Sequence, residues 1–161
     1  MANSVYEVLV TEARLESPEV DPKLGAGAIV DFWGVVRGSE DERTIDGIEY
    51  EAHPAMAEHQ LRLIARESAK KFQLKKVTVY HRVGFVGAGQ ASLFLRVEAG
   101  HRAAAFAASK WIVDELKVRV PIWKRPRFKI EPPSPKLPPG SPAPPGLWHG
   151  KEREQATLRR E

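Results

Sequence analysis

The stretch from Lys76 to Val120, KVTVYHRVGFVGAGQASLFLRVEAGHRAAAFAASKWIVDELKVRV, changes period at its middle. From Lys76 to Val83 the apolar residues alternate: Val77 and Val79, then His81 and Val83, fall on one side, as on a strand. Ala91–Ala99 repeats the pattern with Leu93, Leu95 and Val97. Gly100 ends that run, and the next twenty residues, His101 to Val120, contain neither glycine nor proline and are rich in alanine, the best helix former. Pro121 stops the helix, because proline cannot continue the i to i−4 ladder. The two strands are joined by Gly84-Phe-Val-Gly87-Ala-Gly89, which reads as a hairpin connection. A phosphate-binding glycine loop needs a helix N-terminus directly behind it, and here a strand follows.

Outward toward the N-terminus the same grammar holds. Pro54 starts a helix through about Phe72, with Met56, Leu61, Ile64, Ala65 and Ala69 at helical spacing. Thr44–His53 and Val5–Thr11 read as strands, and Gly38–Arg43 as a polar turn. Gly27–Val36, apolar and β-branched, reads as a buried strand. Ser17–Leu24 has room for one or two helical turns, with Pro18 suited to a first helical position. Strand pairs followed by single helices predict an α+β architecture, two long helices on one face of a mainly antiparallel sheet.

Toward the C-terminus the composition shifts. Of thirteen prolines, nine lie from Pro126 to Pro145, and residues 131–146 are half proline. Such a segment is neither helix nor central strand and reads as an extended spacer. It is followed by a charged tail, 147–161, that begins near Trp148. The domain prediction is therefore residues 1–130, a proline-rich spacer at 131–146 and a tail at 147–161. One domain also suits 161 residues.

Composition removes whole classes of chemistry. There is no cysteine, which excludes disulfides, thiolate metal sites and a cysteine nucleophile. No run approaches a membrane span, and the N-terminus lacks the basic-then-apolar order of a signal peptide; a cytoplasmic home is the expectation. The five histidines show no i, i+4 pair and no adjacent carboxylate cluster, so no metal is expected. The net charge of +4 permits anionic partners without choosing among them.

The segment from Lys117 to Lys129 holds six basic residues in thirteen and no acid. Pro121 separates Lys117, near a helix end, from Lys124 on the extended piece that follows, so two lysines converge from different elements. Clustered cations and partial burial both lower a lysine pKa and yield an amine fit to act as base or nucleophile. The plainer reading is that Lys117 and Arg119 suit a helix C-terminus. A third is nucleic-acid binding by cations interleaved with Trp123 and Phe128. His101 and Arg102 open the second helix, where backbone N–H groups and two cations make an anion cradle, or else a solvated helix start. Arg37 sits where a strand gives way to a turn, a common place for site residues, though taken singly it reads as a solvated arginine.

These residues fall in a recognisable order. Phe32-Trp-Gly-Val-Val-Arg-Gly38, Tyr50-Glu-Ala-His-Pro-Ala-Met56, Val79-Tyr-His-Arg-Val-Gly84, Gly100-His-Arg102 and Leu116-Lys-Val-Arg-Val-Pro-Ile-Trp-Lys-Arg125 together resemble the large, catalytic subunit family of molybdopterin synthase. The resemblance covers about residues 3–130, and Trp148 is similar to the family's C-terminal Trp segment displaced by the proline-rich insert. It implies a hammerhead-type α+β fold and a sulfurtransferase of molybdenum-cofactor biosynthesis. Cyclic pyranopterin monophosphate would receive two sulfurs as a dithiolene, from the C-terminal Gly-Gly thiocarboxylate of a small ubiquitin-like subunit. It implies a homodimer of large subunits inside a heterotetramer, with no metal, no diffusible cofactor and no nucleic acid.

Carried over residue by residue, the resemblance implies that Lys124 is the principal catalytic group and that Lys117 assists it. It implies substrate binding by Arg37, His101 and Arg102, by the backbone around Val35 and Val36, and by Arg125 and Pro126 beside the two lysines. Pro126 departs from the family, many of whose members carry an acid there, and the Gly87-Ala-Gly89-Gln90 loop is smaller than usual. Two alternatives stay open: an inactive scaffold that binds the ubiquitin-like partner, and a basic module for nucleic acid or another polyanion.

Overall fold

The computed structural model describes residues 5–130. The proline-rich spacer at 131–146 and the tail with Trp148 lie outside the described residues. The elements run β1 (Tyr6–Thr11), β2 (Ala28–Val35), β3 (Ser39–Glu40), β4 (Arg43–Ala52), α1 (Pro54–Lys71), β5 (Lys76–Arg82), β6 (Gly84–Gly87), β7 (Ala91–Ala99), α2 (Arg102–Arg119) and β8 (Ile122–Phe128). This is the α+β class read from the sequence, with both long helices where their proline and glycine boundaries put them.

The strands form two sheets rather than one. The first has order β1-β5-β7-β2. β1 runs parallel to β5, while β5–β7 and β7–β2 are antiparallel. Both helices cover one face of it. Ala57, Leu61, Ile64 and Ala65 of α1 and Ala105, Ala108, Ile112 and Leu116 of α2 pack on Val77, Val79, Leu93, Leu95 and Val97. The alanines on the inner stripe of α2 let its backbone lie close to the sheet, which suits dense packing without voids.

The second sheet is centred on β4, which pairs antiparallel with β3, β6 and β8. Its own small core is Val36, Ile45, Ile48, Tyr50 and Val86. Gly47 is needed where β4 meets β6, because a Cβ there would stand 2.3 Å from the Val86 carbonyl oxygen. The β3–β4 connection turns through Asp41 and Glu42, both at positive φ. Aspartate is among the residues enriched in the left-handed region, whereas glutamate enters it rarely.

Three local expectations are corrected. Gly84–Gly87 is a strand, β6, paired with β4 in the second sheet, so the segment crosses between sheets instead of closing a β5–β7 hairpin. Ser17–Leu24 holds only one 3₁₀ turn, Pro22–Leu24, capped by the Asp21 side chain. Upstream of it the chain is held irregular because Arg96 takes the Pro18 carbonyl and the Ser17 hydroxyl as hydrogen-bond acceptors. β2 is the edge of its sheet rather than a buried strand, and Ile29, Phe32, Trp33 and Val35 are exposed in the single chain.

Candidate active site

The end of α2 and the start of β8 build the site. The Val120 N–H still bonds the Leu116 carbonyl, but Val120 itself is extended and Pro121 forbids another helical turn. The chain therefore reverses directly into β8. Pairing of β8 with β4 puts Lys124 opposite Tyr50. Lys117, in the last turn of α2, and Lys124 line one cavity of about 280 Å³ together with Tyr50, His81, Leu116, Val120 and Ile122. The two lysines converge as the sequence spacing suggests. Both side chains are exposed, so the partial burial in that expectation is absent.

Charge distinguishes this pair from its neighbours. Of the six cations between residues 117 and 129, four hold carboxylates. Arg119 binds Glu67 at 2.7 Å and Glu115 at 3.4 Å. Arg125 binds Glu51 at 2.9 Å, Arg127 binds Glu49 at 3.4 Å and Lys129 stands 3.8 Å from Asp46. Lys117 and Lys124 have no carboxylate partner among the described residues, and no Asp or Glu lines their cavity. A wider depression, about 380 Å³, lies between Tyr6, Asp21, Arg62 and Lys76. Its cations are already neutralised, Lys76 by Glu7 at 3.3 Å and Arg62 by Glu58 at 2.5 Å. The smaller, unneutralised cavity is the one prepared for an anion.

Two residues of the cavity wall escaped the site reading of the sequence. His81, the last inward residue of β5, is 5% exposed. Its Nδ1 lies 2.8 Å from the Arg82 carbonyl oxygen. Burial lowers its pKa to about 4, with the Lys124 charge acting in the same direction and the carbonyl contact opposing both. The Tyr50 ring meets the His81 ring edge-on, centroids 5.6 Å apart. Burial raises the Tyr50 phenol above its ordinary value; a hydrogen bond with Ser92 opposes this and the Glu40 charge adds to it. Both residues stand inside the quoted motifs, Tyr50 opening one and His81 centring another. A single polar residue on the inner face of a strand gives no other sequence signal.

The remaining expected residues are dispersed. His101 is the N-cap residue of α2, without a side-chain capping bond, and both it and Arg102 are exposed. From His101 to Lys117 the helix rises about 24 Å, at 1.5 Å per residue. Within one chain the anion cradle is thus at the opposite end of α2 from the lysines. Arg37 is 82% exposed and 3.8 Å from Glu40, the same acid that acts on the Tyr50 phenol. Val35 is exposed at the end of β2. Val36 is buried, and its backbone is engaged with Gln90 and Gly89 on the β7 side. Arg125 projects outward to Glu51, and Pro126 stands opposite Ile48 in the β4–β8 ladder.

Comparison with known proteins agrees with this fold. A family model described as "MoaE protein" matches residues 5–119. A molybdopterin synthase catalytic subunit from Oryza sativa subsp. indica is 44% identical over 102 residues, 63% of this chain and 53% of that protein. This chain therefore spans about half the length of that curated relative. A crystal structure of molybdopterin synthase from Staphylococcus aureus superposes with a TM-score of 0.64 at 25% identity, covering 79% of this chain and 93% of that one. A protein–protein complex of subunits 1 and 2 of the molybdopterin-converting factor from Helicobacter pylori 26695 shares the fold, with a TM-score of 0.57 at 19% identity over 78% of this chain and 90% of that one. With the family model spanning both helices and the lysine-bearing end of α2, the chain belongs to the MoaE protein family.

Proposed function

We propose that this chain is the catalytic subunit of a molybdopterin synthase, a sulfurtransferase that converts cyclic pyranopterin monophosphate to molybdopterin. The observation that carries this reading is the pair Lys117 and Lys124, unneutralised among the described residues, around a cavity with no carboxylate. A substrate phosphate and the C-terminal thiocarboxylate of a small ubiquitin-like subunit are both anions, and such a cavity favours both. Lys124 serves as general acid–base or transient nucleophile, and Lys117 orients the incoming thiocarboxylate. The Helicobacter neighbour, a complex of two subunits, supports a small-subunit partner for this chain.

His101, Arg102 and Arg37 bind phosphate and pterin in this proposal, with Val35, Val36, Arg125 and Pro126 shaping the surroundings. Because one α2 holds His101 and Lys117 at opposite ends, the cradle of one protomer serves the lysine cavity of its homodimer partner, within a heterotetramer. The apolar edge strand β2, with Trp33 and Val35 exposed, is consistent with such a pairing. The setting is the cytoplasm; among the described residues no helix is long and apolar enough to cross a membrane.

The test is conversion in vitro. Purified chain, cyclic pyranopterin monophosphate and thiocarboxylated small subunit are mixed and dithiolene product is quantified. Wild type is expected to turn over, and Lys124→Ala to lose at least about a hundredfold in rate with its fold intact, the range of a lost acid–base group. A wild-type chain that binds the small subunit yet makes no product would leave it a scaffold and turn attention to Pro126. The polyanion reading loses ground because four of the six cations in its segment already hold carboxylates.

A further inference from the structure

His81 is the buried polar group at the site to which the reaction assigns nothing. A carbonyl oxygen only accepts, so the 2.8 Å contact between Nδ1 and the Arg82 carbonyl requires that Nδ1 carry the proton. This fixes the tautomer: Nε2 is left with a lone pair and no hydrogen-bond partner among the described residues. The ring cannot swing away, because Tyr50 packs against it edge-on and the strand holds the backbone. The cavity it lines presents two ammonium groups, each with three donors and no acceptor. Besides the Tyr50 phenol oxygen, which is shared with Ser92, Nε2 is the one side-chain acceptor in that lining.

We infer that His81 is a positioning residue for Lys124: the two line one cavity without a hydrogen bond between them, and rotation of the exposed lysine side chain lets its ε-amino group donate to the Nε2 lone pair, which fixes where that group stands. The proposal rests on the site reading above and adds to it a requirement for a neutral imidazole. The charged and titratable groups facing the ring are Lys124 from β8, Lys117 from α2 and Tyr50 from β4, with Arg82 next on its own strand. Burial of the ring and, after it, the Lys124 charge disfavour an imidazolium. A second ammonium-like charge would repel Lys124, whereas the neutral ring receives it. Holding the ε-amino group in place matters because a misplacement of about 1 Å costs on the order of a hundredfold in rate.

Two measurements decide the proposal. In the full chain labelled with ¹⁵N-histidine, assigned by His81→Gln, the ¹⁵N spectrum of wild type is compared with Lys124→Met. Nε2 is expected to be unprotonated and to move downfield when Lys124 loses its amine, while Nδ1 stays in place. An Nε2 that carries the proton, or that ignores Lys124→Met, overturns the inference. In the conversion assay, His81→Asn keeps a donor near the Arg82 carbonyl but offers no acceptor at the Nε2 position. It is expected to lower kcat by about tenfold to a hundredfold with KM nearly unchanged. His81→Gln, whose amide oxygen reaches the Nε2 position, is expected to restore kcat to within a few fold. Equal kcat for His81→Asn and wild type overturns the positioning role. A wild type without turnover refutes the sulfurtransferase reading, and the spectra still decide the hydrogen bond.

Discussion

Acidification should weaken this fold through one histidine, by an amount the structure sets. His81 is buried and its pKa is lowered from 6.5 to about 4. Above pH 6.5 the ring is neutral in folded and unfolded chains alike, and it adds no pH dependence. Between 6.5 and 4 the unfolded ring takes up a proton and the folded ring does not. The unfolded state then binds more protons, so stability rises with pH across this window and falls as pH drops through it. Two and a half units at about 1.4 kcal/mol each give a loss of about 3 kcal/mol, complete near pH 4, where the folded ring protonates too. The assay is urea unfolding of wild type and His81→Gln at half-unit steps from pH 7.5 to 4. Carboxylates whose pKa is lowered in the fold, such as Glu7 and Glu67, also cost stability in acid, but they are common to both proteins and cancel in the difference. The wild-type curve should fall relative to the variant by about 3 kcal/mol, with the steepest divergence between pH 6 and 4.5. A difference that stays flat from pH 7 to 4 would show that the ring titrates normally, and the burial argument for a neutral imidazole would fail with it.

Two further outcomes follow from ion pairs. Arg96 is buried and binds both oxygens of Asp31 at 2.7 Å while holding Ser17 and Pro18. Asp31→Asn strands that guanidinium and should cost about 2–3 kcal/mol by urea unfolding, below the usual figure for a broken buried pair because Asp31 keeps some exposure. In the second sheet, the double variant Glu49→Gln, Glu51→Gln releases Arg125 and Arg127. It should elute from a heparin column at clearly higher salt than wild type; co-elution would mean that the pairs do not mask these cations.

The sequence was most legible where local chemistry decides the structure. Pro54 and Pro121 mark helix boundaries through backbone geometry alone, and the apolar stripes of α1 and α2 name the face that meets the sheet. It was least legible where a partner distant in sequence decides. β2 is as apolar as a central strand, yet apolar composition does not say whether a neighbour lies on both sides, and here Ile29 and Trp33 are left at an edge. β6 looked like turn chemistry because Gly84, Gly87 and Gly89 suit turns, but its pairing is with β4, almost forty residues earlier. At the site, Lys117 and Lys124 were readable because only a helix stop separates them. His101 and Arg102 were rightly placed at a helix start, and their spacing along α2 already sets them about 24 Å from Lys117. His81 and Tyr50 were assigned to strands, and their meeting depends on how two sheets abut.

The ion pairs between β4 and β8 lie on the face that turns away from the cavity. Glu49 and Glu51 hold Arg127 and Arg125 outward, while Tyr50 and Lys124 point the other way. Side chains alternate along a strand, so a slip of one residue would bring Trp123 inward and turn Lys124 out. The outer row of charges never touches the cavity, yet it favours the one register that delivers Lys124 there.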